Sequence, residues 1–343
     1  MVAEFLLDLE RLGPLIADAT QDVRWLNMEP RLIEGGKSNL TFKLTSEAGD
    51  LILRRPPTGG ILPRAHDMSR EVRIQRALQP TSIPVPSIVL ECGPEILGTA
   101  FYVMQMVPGH VIYNELPIGY AQTEQEKRAL SFAMIDVLAD LHAINPASVG
   151  LDGFGRPEGF LTRQVSRFCT QWELSKTAEV PIVDELGRQL WASIPISSSA
   201  SIVHGDYRLD NCIVDAHDPG TISAVLDWEM STIGDPLTDL GLLLFYWREQ
   251  GDREPSLIPF ITSQPGFPSR QEMAEHYTER MGVHLQDIAF YEALAHFKFA
   301  IIAQGISKRV TMGVMAGQEF GDIANEVEWI AQAGLLRLTG KEA

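Results

Sequence analysis

The sequence predicts an α+β fold with two lobes, a small lobe built on an antiparallel sheet and a larger, mainly helical lobe. Strand and turn signals alternate between residues 31 and 57. Beyond residue 240 the hydrophobic pattern is almost entirely helical. The chain has 343 residues, 45% of them hydrophobic, and this size suits two lobes better than one.

The N-terminal segment, residues 1–28, carries apolar residues at helical spacings that are interrupted by Gly13 and Pro14. This pattern predicts two short helices packed on the outside of a lobe. The segment contains no side chains arranged for chemistry.

The small lobe is expected over residues 29–107, and it opens with three strands separated by turns. The first turn contains Gly35, Gly36, Ser38 and Asn39. Glycine permits close backbone approach and positive φ angles, so this turn could present N–H groups to phosphates. Hairpins also use Gly-Gly routinely, and an ordinary turn is the alternative.

Two arginines, Arg54 and Arg55, end the third strand. Alternation along the strand does not decide which one faces inward; we favour Arg54 and keep Arg55 as the alternative. Residues 68–78 have an imperfect apolar face that predicts a helix. Glu71 on this helix can reach the strand that carries Arg54, although an exposed charge pair is the alternative.

Residues 101–107 predict a buried strand that ends in a break at Pro108 and Gly109. The large lobe is expected to follow, over residues 108–343. Within it, residues 123–145 predict a long amphipathic helix that supports the loop described next. Further helices are predicted over residues 240–248, 270–281, 287–309 and 316–338.

The motif H-G-D-x-x-x-x-N, residues 204–211, carries the clearest chemistry. Asp206 and Asn211 are five residues apart, so one loop can direct a carboxylate at a hydroxyl nucleophile and an amide oxygen at Mg²⁺. Asp227 follows the apolar run 222–226, so a short strand would place a second metal ligand beside Asn211. Such hard oxygen ligands suit Mg²⁺ rather than Zn²⁺. Unrelated turns are the alternative, but the ordered combination argues against them.

Five other polar residues have simpler interpretations. Asp235 precedes Pro236, which is an ordinary N-cap arrangement. Asp239 could favour its helix N-terminus electrostatically, and His142 suits the end of its helix for the same reason, so we interpret His142 as structural. His296 and Lys298 could point into an acceptor pocket, or they could be solvated or core residues.

The phrases HGDYRLDN, LDWE and GDPLTDLG together resemble the aminoglycoside phosphotransferase family, whose fold resembles that of protein kinases. The likeness extends more loosely over residues 30–335. The phrases GGKSNLTFKL, LILRRPP and FYVMQMVPG are similar to the kinase-like domains associated with acyl-CoA dehydrogenases.

The resemblance implies a protein-kinase-like two-lobe fold and ATP- and Mg²⁺-dependent transfer of the γ-phosphate to a hydroxyl of a small molecule. It makes Asp206 the residue that accepts or orients the hydroxyl proton, with Asn211 and Asp227 as Mg²⁺ ligands. Arg54 stands where related kinases usually place a phosphate-binding lysine, and this is a departure. Arginine can still bind phosphate through its fork of donors.

Three further roles follow from the resemblance alone. Glu71 would orient the phosphate-binding base. Asp239 would accept backbone N–H bonds from the catalytic loop. The backbone of Gln105 and Val107 would meet the adenine ring.

Charge and cysteine content restrict the partners and the compartment. The net charge is -17, and residues 101–240 hold 8 Lys or Arg against 19 Asp or Glu, a balance of -11, so we expect no nucleic-acid partner. The carboxylates could favour a cationic substrate or simply increase solubility. The three cysteines are far apart in the sequence, so we expect free thiols. Without a basic leader or a long apolar span, we expect a cytoplasmic protein that does not bind membranes.

The acceptor stays open between several classes. The branch resemblance favours a hydroxyacyl-CoA or a hydroxy acid. An aminoglycoside or another antibiotic is the alternative. A polycationic ligand would need a concentrated acidic pocket, but residues 241–343 hold 9 Lys or Arg against 13 Asp or Glu, so the acidic excess is mild and argues weakly against it. A catalytically weak nucleotide-binding scaffold is a third reading, supported by the missing lysine. A protein kinase is disfavoured because only a few residues separate Asp227 from Asp235.

Overall fold

The computed structural model describes residues 6–33, 39–57, 67–197, 199–285, 287–312 and 323–340. The chain forms two compact units. The first comprises Met1–His110 and Ser223–Ser231, and the second comprises Val111–Ile222 and Thr232–Ala343. The lobe boundaries expected after residues 28 and 107 stay predictions.

The first unit is built on a five-stranded antiparallel sheet. Its strands are β1 (Glu29–Ile33), β2 (Leu40–Ser46), β3 (Gly49–Arg55), β4 (Ile88–Cys92) and β5 (Phe101–Gln105). They lie in the order β1-β2-β3-β5-β4, with β3 between β2 and β5. The helices of this unit are α1 (Leu9–Thr20), α2 (Met68–Leu78) and the short α3 (Pro94–Leu97). The predicted sheet of the small lobe is confirmed.

The helix α1 is continuous where the sequence predicted two short helices, so that prediction was wrong. Pro14 lies inside α1 and removes one backbone hydrogen bond. The side chain of Asp8 caps the helix, and Leu12 and Ile16 are fully buried in the core that also covers one face of the sheet. Burial of this apolar face outweighs the local breaker signal.

The second unit is mainly helical. Its strands are short: β7 (Ser201–Val203), β8 (Cys212–Val214) and β10 (Thr232–Gly234). Two further short strands, β6 (His110–Val111) and β9 (Ile222–Val225), include residues of both units. The helices are α4 (Glu124–Ala143), α5 (Phe160–Ser175), α6 (Pro181–Ala192), α7 (Leu237–Tyr246), α8 (Arg270–Met281), α9 (Ile288–Thr311) and α10 (Ile323–Thr339). The strand β7 pairs antiparallel with β10.

The core of the helical unit lies among α5, α6, α7, α9 and α10. The helices α7 and α9 approach closely at Gly241, where a Cβ atom would lie 2.6 Å from the carbonyl carbon of Tyr291. Only glycine permits that approach. The described part of the chain contains no helix with the length and apolar character that a bilayer crossing requires.

Beyond the N-terminal segment, the described parts of the predicted helices agree with the structure to within a turn. The helix α8 has the predicted bounds, α4 begins after a capping box at Thr123, and α7 begins three residues earlier than predicted. Residues 316–322 of the last predicted helix lie outside the described ranges, and α10 is described from Ile323.

Candidate active site

The predicted catalytic loop, residues 204–211, joins β7 to β8. The chain turns at Gly205, whose φ of 85° lies in the region that favours glycine. The N–H of Asp206 then donates to Nδ1 of His204 at 3.2 Å. The loop ends in a single 3-10 turn, Leu209–Asn211. This sharp path presents Asp206 and Asn211 from one short segment.

Asp206 and Asn211 are in direct contact. The amide nitrogen of Asn211 donates to the backbone oxygen of Asp206 at 2.8 Å and to its Oδ2 at 3.2 Å. Because the nitrogen makes both bonds, the amide oxygen of Asn211 is left to act as an acceptor or a metal ligand. The five-residue spacing therefore brings the side chains of Asp206 and Asn211 together in one short loop.

The other carboxylate oxygen of Asp206 contacts Tyr246, a residue that the sequence did not indicate. The Tyr246 hydroxyl, at the end of α7, donates to Oδ1 of Asp206 at 3.1 Å. Burial and the adjacent carboxylate raise the pKa of Tyr246, so its hydroxyl stays protonated and can donate. Arg208 packs over the Tyr246 ring at 4.8 Å and pairs with Asp210. These side chains fix the position of Asp206 from the helical side.

Asp239, in the first turn of α7, fastens the catalytic loop. Its Oδ2 accepts the backbone N–H of His204 at 2.6 Å, and its Oδ1 accepts that of Gly205 at 2.8 Å. Nε2 of His142 lies 3.3 Å from Oδ2. Burial alone would raise the pKa of Asp239, but the contacts with His142 and the Gly205 N–H hold it below its usual value. The loop contacts implied by the resemblance are present, and His142 is a structural partner.

The helix α4 also contacts the loop and the strand β7 that precedes it. The hydroxyl of Tyr207 donates to the backbone oxygen of Met134 at 2.8 Å, and the hydroxyl of Ser201 donates to that of His142 at 2.7 Å. Both side chains are buried. The predicted supporting role of this long helix is confirmed.

Of the two residues considered for an acceptor pocket, Lys298 alone contacts the catalytic loop. Its Nζ donates to the backbone oxygen of Gly205 at 2.8 Å. Burial lowers the pKa of Lys298, while Asp206 acts in the opposite direction. His296 lies in the helical core, where Nδ1 donates to the backbone oxygen of Glu292 at 2.7 Å. Burial lowers the pKa of His296 to about 3, so this imidazole is neutral.

Asp235 is buried and has the predicted capping role. Its Oδ1 accepts the backbone N–H of Leu237 at 3.0 Å at the start of α7. Its Oδ2 accepts the hydroxyls of Tyr291 at 2.8 Å and Ser197 at 2.6 Å. A carboxylate with this many donors is held in place as part of the helical scaffold.

A second polar cluster lies in the first unit around Arg54, which is 8% exposed. Its Nη1 lies 3.4 Å from Oε2 of Glu71, and its Nη2 donates to Oδ1 of Asp227 at 3.1 Å. Burial opposes the charged form, but Tyr102 and the two carboxylates raise the pKa of Arg54 above its ordinary value. Arg54 is therefore a charged group held by two carboxylates.

Arg55, the alternative candidate, has different surroundings. It donates to the backbone oxygen of Leu6, and burial lowers its pKa. Both arginines are nearly buried, so exposure does not distinguish them. Their partners do, because Arg54 rather than Arg55 joins Glu71.

Glu71 is fully buried and accepts hydrogen bonds from two directions. The hydroxyl of Tyr102 donates to its Oε2 at 2.8 Å, and the amide of Asn39 donates to its Oε1 at 3.0 Å. The same Asn39 amide donates to Glu229 at 3.1 Å. Burial raises the pKa of Glu71, and Arg54 and Tyr102 oppose that shift. The sequence did not predict this use of the Asn39 side chain or the presence of Tyr102.

Asp227 follows β9, as predicted, and its backbone adopts φ 63° and ψ 61°. This left-handed conformation is uncommon outside glycine, although Asp adopts it more readily than most residues. The chain then forms a 3-10 turn, Trp228–Met230, and the indole of Trp228 donates to the backbone oxygen of Val225 at 3.0 Å. The strained backbone turns Asp227 out of the strand path, as is common at functional sites.

Of the remaining predicted nucleotide contacts, the structure describes Gln105 and Val107. Gly35, Gly36 and Ser38 lie outside the described residues. The N–H of Gln105 donates to the backbone oxygen of Ser87 at 2.9 Å. A nucleotide at this position would therefore use the Gln105 carbonyl or the backbone of Val107, and the adenine contact stays a prediction.

The side chains proposed to hold Mg²⁺ are those of Asn211 and Asp227. Within the described ranges, no three His, Cys, Asp or Glu side chains converge as a metal site. Mg²⁺ carried by a nucleotide needs only one or two protein oxygens, because phosphates and water complete its octahedron. The Asn211 amide oxygen and the Asp227 carboxylate are such hard ligands, so the residues fit Mg²⁺ and do not fit Zn²⁺.

An antiparallel sheet that carries a buried arginine–glutamate pair, and a helical unit that presents an Asp–Asn loop, define the class of kinase-like phosphotransferases. Residues 29–275 match the model of the phosphotransferase enzyme family. The chain belongs to that family, and the predicted fold class is confirmed.

The relatives and solved structures agree with this assignment. The chain is 35% identical over 311 residues to acyl-CoA dehydrogenase family member 11 of Homo sapiens, a match that covers 88% of this chain and 39% of the relative. It thus spans about two fifths of that protein's length.

Two solved structures illustrate the fold. A putative aminoglycoside phosphotransferase from Ralstonia eutropha is 30% identical with a TM-score of 0.81, covering 98% of this chain and 99% of that one. An aminoglycoside phosphotransferase in ternary complex with AMP-PNP and hygromycin B has a TM-score of 0.62 at 15% identity, covering 96% and 99%. At that identity the second likeness concerns the fold alone.

Proposed function

We propose that this chain transfers the γ-phosphate of ATP, with Mg²⁺, to a hydroxyl group of a small molecule. The observation that carries the proposal is the state of Asp206, whose two carboxylate oxygens are held by Tyr246 and Asn211 in a loop fastened by Asp239 and Lys298. A general base or orienting group must be fixed in this way before the acceptor binds.

Each residue of the site has a distinct part in this proposal. Asp206 orients the acceptor hydroxyl and receives its proton. Arg54, positioned by Glu71, interacts with the phosphates of the nucleotide through its fork of N–H donors. Asn211 and Asp227 supply oxygen ligands to the metal. When bound, Mg²⁺ supplies charge neutralisation at the phosphate oxygens.

Arginine in place of lysine does not by itself favour a catalytically weak scaffold. The side chain of Arg54 is charged, buried and ion-paired with Glu71, which is the arrangement that a phosphate-binding cation requires. A scaffold without catalysis would not need the hydrogen bonds that hold both oxygens of Asp206. Transfer is therefore preferred over nucleotide binding alone.

For the acceptor we propose a hydroxyacyl thioester or the corresponding hydroxy acid. The support is the similarity to acyl-CoA dehydrogenase family member 11, of which the match covers 39%. The arginines of α2 could meet the phosphates of a CoA group, but they give this proposal little support. Arg76 pairs with Glu91 at 2.7 Å, and Arg70 donates to the backbone oxygen of Ser231 at 3.0 Å. An aminoglycoside is the second candidate, favoured by the Ralstonia eutropha structure.

The test is ATP consumption in the presence of 4-hydroxyacyl-CoA, the free 4-hydroxy acid and kanamycin at equal concentrations, with the Asp206→Asn variant as the matched control. Turnover with the thioester or the acid that disappears in the variant is the expected result. Turnover confined to kanamycin would mean that the acceptor is an aminoglycoside, while the proposed phosphoryl transfer would stand. Nucleotide binding without turnover on any hydroxyl compound would favour the scaffold.

A further inference from the structure

A cavity of about 80 Å³ lies in the helical unit, and its lining includes no residue of the catalytic loop. It forms where the segment after α7 meets α8, α9 and α10. Its polar lining consists of five charged side chains and two aromatic heterocycles. They are Arg248, Asp252, Arg270, Glu292, His296, Trp329 and Arg337.

Two N–H donors on this lining are buried without a hydrogen-bond acceptor among the described residues. They are Nε of Arg248 and Nε1 of Trp329. Arg248 is 6% exposed, and its Nη1 and Nη2 donate to the backbone oxygens of Phe245 and Arg253 at 3.3 and 3.2 Å. These bonds hold the guanidinium while its Nε lies 3.4 Å from Asp252. Nε of Arg248 therefore has an ion-pair partner although it makes no hydrogen bond, whereas Nε1 of Trp329 has no hydrogen-bond acceptor among the described residues. A buried donor without an acceptor is costly, so the cavity favours an occupant that supplies acceptor atoms.

The charges around the cavity favour an anion. The lining holds three arginines against two carboxylates. Two charged groups contact the lining from outside: Glu249 pairs with Arg270, and Arg253 packs over Trp329. Their opposite charges cancel, so the excess of positive charge is unchanged. His296 contributes no positive charge.

Each carboxylate on the lining is paired with an arginine of the lining. Asp252 accepts from Arg270 and, at 2.9 Å, from the backbone N–H of Glu249. Burial raises the pKa of Glu292, which lies 3.6 Å from Arg337. Both lining carboxylates are therefore ion-paired, and the buried polar atoms of the lining that lack a hydrogen bond among the described residues are N–H donors.

We propose that this cavity binds a small oxyanion, either a carboxylate group or inorganic phosphate, through Arg248, Trp329 and Arg337. Arginine forks and an indole N–H match the acceptors of such an anion. One water needs roughly 10–15 Å³, so the volume also accommodates a few waters. Water is the alternative occupant, and the test separates the two. Neither outcome bears on the proposed phosphoryl transfer, since the site shares no residue with it.

Trp329 provides the probe, because an anion on its indole N–H should change its fluorescence. The wild-type chain is titrated with sodium acetate and, separately, with inorganic phosphate, at ionic strength kept constant with sodium chloride. A saturable change with one or both is expected, and the more effective anion identifies the source. In Trp329→Phe the change should disappear, which separates this site from the other tryptophans.

Arg337→Gln is the second variant, because its side chain is 43% exposed at the edge of the cavity and the fold should tolerate the change. Loss of one charge-assisted hydrogen bond should weaken anion binding roughly tenfold. Arg188→Gln is the matched control, since Arg188 is an exposed arginine of the same unit that does not line the cavity. No saturable change in the wild type, a change that persists in Trp329→Phe, or equal affinity in Arg337→Gln would each overturn the proposal.

Discussion

The hydroxyl of Tyr246 donates a hydrogen bond to Oδ1 of Asp206 at 3.1 Å, while Asn211 holds Oδ2 at 3.2 Å. The two donors come from elements far apart in sequence, the end of α7 and the catalytic loop itself. Because both oxygens are held, the carboxylate is oriented before an acceptor arrives. This relationship makes Tyr246 a positioning residue for the proposed reaction.

Tyr246→Phe should lower kcat roughly 10- to 100-fold and leave the affinity for nucleotide unchanged. The substitution removes one hydrogen bond to a charged group, which is worth about 1.5–3 kcal/mol, and each 1.4 kcal/mol of barrier is about tenfold in rate. Steady-state kinetics on the accepted substrate measure the effect. Tyr120→Phe is the matched control, because the Tyr120 hydroxyl donates to the backbone oxygen of Asp215. Equal losses in the two variants would remove the positioning role.

Arg54→Met should raise KM for ATP and lower the free energy of unfolding. It leaves the buried Glu71 carboxylate without its cation, and breaking a buried pair costs about 3–5 kcal/mol. Arg55→Met removes a neighbouring cation of the same strand that lies outside this cluster, so its KM for ATP should match that of the parent. Arg54→Lys retains the charge and provides a folded comparison. Similar KM values for the Arg54 and Arg55 variants would refute the assignment.

Asp227→Ala should abolish most of the Mg²⁺-dependent part of nucleotide affinity, because one of the proposed oxygen ligands is lost. Calorimetric titration with ATP, with and without Mg²⁺, separates that part from the rest. Glu229→Gln is the control, since it neutralises a nearby carboxylate that accepts from Asn39. If Asp227→Ala binds Mg-ATP as tightly as the parent, Asp227 is not a ligand.

Asp239→Asn should destabilise the protein in a pH-dependent way. The folded protein holds the pKa of Asp239 below its ordinary value of 3.8, so the carboxylate stabilises the fold above that pH and loses this effect as the pH falls further. Urea unfolding should show a gap between the two proteins, with the free energy of unfolding of Asp239→Asn lower by about 2–4 kcal/mol near neutral pH. The gap should narrow only below about pH 4, and a gap that widens with acidification would contradict the assigned contacts.

The parts of the fold that the sequence predicted well are those encoded by local patterns. The bounds of α8 and the start of α4 follow from spacing and cap residues within the elements themselves. Asp206 and Asn211 lie five residues apart in one short loop, and that spacing brings them into contact. The prediction of two helices in place of α1 was wrong because Pro14 was weighed locally, whereas burial of Leu12 and Ile16 decides the outcome.

The parts of the site that the sequence did not predict depend on contacts between distant segments. Tyr246 is 40 residues from Asp206, and Lys298 is 93 residues from Gly205. Tyr102 reaches Glu71 across 31 residues. No periodicity or motif marks such partners, because each is an ordinary helix or strand residue until the tertiary structure places it.

The central claim is that Asp206 acts on the acceptor hydroxyl in a phosphoryl transfer from ATP. The most direct measurement follows the label from γ-phosphate-labelled ATP into a hydroxylated acceptor, comparing the wild type with Asp206→Asn, while calorimetry measures Mg-ATP affinity in both. We predict that label transfer falls at least about a hundredfold, within the range that general-base catalysis supplies, and that Mg-ATP affinity is unchanged. Label transfer at the wild-type rate in Asp206→Asn would contradict the claim.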